Sequence, residues 1–146
     1  MSTAAKNLFD KEEKLAIKKA ILNAELDTSG EIRVHIEGIC EGEVLDRSAH
    51  VFTKLKMDKT QMRNGVLFYL AADSKKFAIV GDAGINKVVP EDFWNVIKDK
   101  MTVHFNEGRF ADGLIEGIQM TGEKLKKHFP HRLDDINELS DEISFN

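Results

Sequence analysis

The stretch RNGVLFYLAADSKKFAIVGD, residues 63–82, decides the fold. It holds two continuous apolar runs joined by ADSKK, whose Asp73 and Ser74 favour a tight turn. Runs that are apolar at every position, and not at alternate ones, predict strands covered on both faces, central in a sheet. The short polar joint predicts an antiparallel hairpin. The longest run, VLFYLAA (Val66 to Ala72), falls far short of the roughly 20 residues of a membrane-spanning helix.

Upstream, DKEEKLAIKKAILNAEL opens with Asp10 and Glu13 at capping-box spacing and carries Ile17, Ile21 and Ala24 on one helical face. EIRVHIE then alternates strictly. Ile32, Val34 and Ile36 lie on one side and Glu31, Arg33, His35 and Glu37 on the other, which predicts a strand with a single well-buried face. In EVLDRSAHVFTKLK the positions of Leu45, Ala49, Phe52 and Lys56 predict an amphipathic helix. Downstream, AGINKVV reads as a loop, and Pro90 as a helix start with Glu91 and Asp92 in the first turn. Phe93, Trp94, Ile97, Met101 and Phe105 form that helix's buried stripe. A longer helix follows Gly108, with Phe110, Leu114, Ile118, Thr121 and Leu125 inward, and ends before Pro130.

This order predicts an α/β domain in three layers, an α/β/α sandwich around a small mixed β-sheet. A strand–helix–strand crossover makes the first two strands parallel, and the hairpin makes the third antiparallel to both. The starts of the first two strands, at Glu31 and at Arg63 to Gly65, should then meet the end of the third, at Asp82. Two parts are expected: a domain over residues 1–130 and an acidic, helical C-terminal tail over 131–146, with weak periodicity through Leu133, Ile136, Leu139 and Ile143. The net charge of −4 belongs to the tail, because residues 1–130 hold 20 basic and 20 acidic side chains. In the tail Arg132 stands alone against Asp134, Asp135, Glu138, Asp141 and Glu142, and such a tail would suit docking to a protein partner or a second copy.

Several function classes are excluded. No basic run offers itself to a phosphate backbone, so nucleic acid is not an expected partner. The single cysteine, Cys40, rules out a disulfide framework and a multi-thiolate zinc site, and its glutamate-rich loop argues against a reactive thiolate. The five histidines complete no zinc motif, and Pro130 disrupts the spacing of His128 and His131. There is no nucleophile elbow, and Ser48 lies mid-helix, where a hydroxyl serves the backbone. The N-terminus lacks a signal-peptide layout and no membrane segment is visible, so the expected location of the chain as given is the cytoplasm.

Carboxylates remain as candidates. Asp82 follows a central strand between Gly81 and Gly84, which let a ligand approach closely, although turn chemistry explains it equally well. Asp112 and Glu116 share a helical face, and Asp112 also fits a plain capping or dipole role. Glu31 is either an exposed strand residue or a member of the same edge as Asp82. Together Glu31, Asp82, Asp112 and Glu116 form an oxygen-only ligand set, suited to a hard cation such as Ca²⁺ or Mg²⁺.

Residues 63–97 followed by MTVHFNEGRFADGLIEGI resemble the TPM domain, a family named for a thylakoid-lumen phosphatase-like protein, a photosystem II repair protein and a nematode receptor modulator. The matching elements are NGVL at a strand start, the VGDAGI turn, the Pro-initiated helix, and the helix entry marked by Phe105, Gly108 and Gly113. The resemblance covers roughly residues 10–130. It implies the three-layer sandwich, a divalent cation in an acidic pocket near the sheet edge, and an acid phosphatase activity reported for plant members. On it Asp82 and Asp112 carry over by motif, and Glu31 and Glu116 by geometry. Many relatives carry an export signal and a C-terminal anchor, neither visible here. The leading expectation is a Ca²⁺- or Mg²⁺-binding module, non-catalytic or weakly catalytic, that assists maintenance of a protein complex. The alternative is a metal-assisted phosphatase acting on phosphomonoesters, with Arg63 or Arg33 clamping the phosphate.

Overall fold

A computed structural model describes residues 3–130 and 142–145. In it the hairpin of residues 63–82 forms strands Gly65–Ala71 and Lys76–Gly81, which are β2 and β3. β1 (Glu31–Glu37) lies parallel to β2, with Glu31 opposite Gly65, and Val66 faces Gly81 across the hairpin. The strand starts and the end of β3 therefore meet at one end of the sheet. A fourth strand, β4 (Ser144–Phe145), adds to the free side of β1 in parallel, giving the order β3-β2-β1-β4. The helical reading of the tail over Leu133, Ile136 and Leu139 lies outside the described residues. At the tail's end the structure shows a strand, and Ile143 and Phe145 pack on the core. β3 is an edge strand of the described sheet, and only β2 is buried along its whole length.

Among the described residues five helices cover the two faces. α1 (Thr3–Asn7), α2 (Lys11–Glu25), α5 (Phe93–Asn106) and α6 (Phe110–His128) line one face, and α3 (Val44–Lys54) packs over β3 and β2 on the other. AGINKVV is not a plain loop, because α4 (Ala83–Asn86) occupies its first half. Pro90 to Asp92 precede α5 and do not form its first turn. The main core joins Ile32, Val34, Ile36, Val66, Phe68 and Leu70 to Ile17, Ile21, Ile97, Met101, Leu114 and Ile118. A smaller one sets Leu67 and Tyr69 against Val51, Phe52 and Met57. The result is the three-layer α/β/α sandwich with a mixed sheet.

Local signals explain the helix starts. The Asp10 side chain accepts from Glu13 N at 2.7 Å and the Glu13 side chain accepts from Asp10 N at 3.0 Å, a closed capping box. Asp10→Ala is expected to lower the unfolding free energy by about 1 kcal/mol, read as a shift in the urea midpoint without a change in slope. The Ser48 hydroxyl bonds to Leu45 O at 3.0 Å, the backbone role its mid-helix position implies.

β1 departs from expectation. Most of its charged side is closed to solvent as well, with Glu31 and Glu37 each 3% exposed and His35 6%, and Arg33 half-buried between them. The reason is tertiary: α3, the β2 side chains and β4 bring partners for these groups that β1 alone does not reveal.

Candidate functional site

At the Asp82 end, β3 delivers a carboxylate that is only 6% exposed. Arg63 donates to both oxygens, Nε to Oδ2 and Nη2 to Oδ1, each at 2.7 Å, and Ala83 N donates to Oδ1 at 2.7 Å to begin α4. Hydrogen bonds from Arg63 to Asp82 raise the guanidinium pKa above its ordinary value, with nearby Asp58 adding to the effect. Arg63 itself sits in a left-handed backbone conformation at φ 53°. That turn is held by Gly84, whose N–H donates to Arg63 O at 2.8 Å. Buried Glu31 stands on the far side of Gly65, so two carboxylates flank a residue without a side chain. Asp58 places a buried Oδ1 without a hydrogen-bond partner among the described residues.

Asp112 and Glu116 do not join this end. The Leu125 side chain packs against Gly30, and Thr28 Oγ1 donates to Leu125 O at 2.9 Å, so the C-terminal part of α6 lies beside the start of β1. Asp112 is thirteen residues earlier, or about 20 Å along a helix rising 1.5 Å per residue. There Phe110 packs on Phe105, and Phe105 on Phe77 at the start of β3, the opposite end of the sheet from Asp82. Asp112 is exposed in the first turn of α6, and Glu116 accepts from His104 Nε2 at 2.5 Å. Glu31 and Asp82 thus share one end, and Asp112 and Glu116 share the other. Among the described residues no three His, Cys, Asp or Glu side chains converge closely enough to hold a metal ion.

A second cluster was not anticipated from the sequence. Arg47 grips Glu37 through Nε and Nη2, both at 2.7 Å, and the Tyr69 hydroxyl donates to the same carboxylate. His35 Nε2 lies 3.2 Å from Glu37 Oε1, and Nδ1 lies 2.6 Å from Ser144 Oγ. Burial lowers the His35 pKa, partly offset by its bond to Glu37. Burial and then the Glu37 bond push the Tyr69 pKa up, and the Glu37 bonds raise that of Arg47. Arg33, two residues from His35, holds a buried Nε without a partner among the described residues, and burial lowers its pKa. The one sequence signal for this cluster was the row of charged groups on one side of β1, which strict alternation assigns to solvent.

Comparison with known proteins places this geometry in a family. A family model described as the TPM domain matches residues 2–124. The BA42 protein of the psychrophilic bacterium Bizionia argentinensis, solved by NMR, is 48% identical over 94% of this chain and 95% of its own, with a TM-score of 0.88. The N-terminal domain of a P. gingivalis protein matches at a TM-score of 0.69 and 21% identity, covering 86% of this chain and 83% of its own. The N-terminal domain of the cg2496 protein of Corynebacterium glutamicum matches at 0.64 and 11%, over 80% and 74%, and like the previous structure it shares the fold. No curated protein matches. No helix among the described residues is long and apolar enough to cross a membrane. The chain belongs to the TPM-domain family.

Proposed function

We propose that the protein is a TPM-type module that binds a divalent cation, Ca²⁺ or Mg²⁺, at the Glu31–Asp82 end of the sheet, without turnover at that end. The observation that carries this reading is the buried Asp82 carboxylate, held in fixed geometry and satisfied by a cationic group on both oxygens. A site built to hold the Arg63 guanidinium offers an ion the same charge complement, with Glu31 across Gly65 as a second oxygen donor. Two protein carboxylates leave most ligand positions to water, an arrangement that Mg²⁺ accepts more readily than Ca²⁺. Of the arginines expected to clamp a phosphate, Arg63 is committed to Asp82, which favours cation binding over phosphomonoester turnover at this end. Asp112 and Glu116, on the far end of α6, take no part in this site.

The ion and Arg63 compete for Asp82, and the test uses that competition. Thermal unfolding and calorimetric titration with MgCl₂ and CaCl₂ are expected to show stabilisation by mass action, about 1.4 kcal/mol at ten times the dissociation constant. Arg63→Ala should tighten binding, Asp82→Asn should abolish it, and Asp112→Asn with Glu116→Gln should leave it unchanged. No response to either ion in both the unaltered chain and Arg63→Ala would end the proposal.

A further inference from the structure

The Ser144–His35–Glu37 chain is independent of the cation end and stands on hydrogen-bond directions. Glu37 takes two bonds from Arg47 and one from Tyr69, so it is an ionised acceptor. His35 Nε2 must therefore carry the proton it shares with Glu37 Oε1 at 3.2 Å. In the neutral ring Nδ1 is then a bare acceptor, and the Ser144 hydroxyl, at 2.6 Å, donates to it. This is the polarity of a nucleophile, base and orienting carboxylate, with the two ring nitrogens exchanged relative to the familiar triad. Ser144 lies half-buried on an outer strand of the described sheet, and Ser144 and His35 are register partners between β4 and β1. Arg33 is the diagonal neighbour of Ser144 on the same side of the sheet, and its buried Nε lacks a partner among the described residues. Burial lowers the His35 pKa, which favours the neutral form a base requires.

We propose that Ser144 is a nucleophile toward carboxylic esters, with His35 as its general base, Glu37 as the positioning carboxylate and Arg33 as the group that meets the tetrahedral oxyanion. Ser144 Oγ forms a bond to the ester carbonyl carbon as its proton passes to His35 Nδ1. Collapse of the intermediate breaks the bond to the leaving alkoxide, which takes that proton from Nδ1 and departs as the alcohol. Water, deprotonated by the same nitrogen, then adds to the acyl-serine carbonyl, and the bond to Ser144 Oγ breaks as Oγ takes the proton back from Nδ1 and the carboxylic acid is released. The charged and titratable groups facing His35 among the described residues are Arg33 and Glu37 of β1, Tyr69 of β2 and Arg47 of α3. Glu142, beside β4, is bound to Lys18.

The test treats the full chain with a fluorophosphonate probe and maps the adduct by mass spectrometry. One adduct on Ser144 is expected, absent in Ser144→Ala and formed at least tenfold more slowly in His35→Gln. In the unaltered chain the labelling rate should rise with pH to a plateau whose midpoint lies below about 6.5, the ordinary histidine value. That profile needs no variant and serves even if His35→Gln fails to fold. Hydrolysis of 4-nitrophenyl acetate should show a burst that Ser144→Ala removes. A Ser144 that only ties β4 to β1 would give no adduct, or a rate that climbs with hydroxide without a plateau, and either result overturns the proposal.

Discussion

Glu37→Ala is expected to lower the unfolding free energy by about 3–5 kcal/mol, the cost of removing one partner from a buried ion pair. Four donors lose their acceptor together: Nε and Nη2 of Arg47, the Tyr69 hydroxyl and His35 Nε2. The carboxylate is 3% exposed, so water does not replace it without opening the α3 layer. Urea unfolding at pH 7 measures the effect directly. The same network sets a pH dependence. Because burial lowers the His35 pKa in the folded state, the unfolded chain binds the proton more readily. The contribution of His35 is therefore fully present above about 6.5 and is lost as pH falls from there through the lower folded value. His35→Gln should remove this part of the slope between pH 7 and pH 5, and an unchanged slope would show that His35 does not titrate in that range.

Gly84→Ala comes next in size, at about 3 kcal/mol, the upper part of the range for overpacking. A Cβ at residue 84 would lie 2.3 Å from Met62 O and 2.6 Å from Arg63 O. Both are backbone atoms and neither can rotate away. Relief requires moving the turn that aims Arg63 at Asp82, so the variant should lose cation affinity together with thermal stability. Gly108→Ala is the contrast: nothing lies within 4 Å of its Cβ, and only the left-handed backbone at φ 76° is strained. About 1 kcal/mol is expected there, with cation binding unaltered. Equal losses in the two variants would mean that the contact at Gly84 relaxes and does not govern the Arg63 turn.

The readings that held were local ones. Asp10 and Glu13 are three residues apart, and their capping box closes within one turn, so spacing alone revealed it. Asp73 and Ser74 marked the turn between β2 and β3, and the parallel pairing of β1 with β2 followed from the intervening helix. The apolar steps of α6 likewise identified its buried face, with Leu114, Ile118 and Leu125 inward. The meeting of Glu31, Gly65 and Asp82 was legible too, because it depends only on strand order and direction.

Other features depend on partners distant in the chain. Ser144–Phe145 has no strand pattern of its own and becomes β4 by bonding to His35 and Ile36, more than a hundred positions earlier. His35 and Glu37 alternate as solvent-facing residues do, and it is Arg47 and Tyr69, supplied by other elements, that give Glu37 its buried partners. Asp112 and Asp82 each look like ligands, yet the direction in which α6 crosses the sheet separates them.

By itself, then, the sequence determined the long helices, the hairpin, the layered class and the end of the sheet where Glu31 and Asp82 meet. Only the tertiary structure decided which polar groups are buried and which candidate residues can act together. The physical reason is range. Capping, turn and periodicity preferences act between residues a few positions apart, whereas desolvation and hydrogen-bond pairing are set by whatever chain segment packs on top.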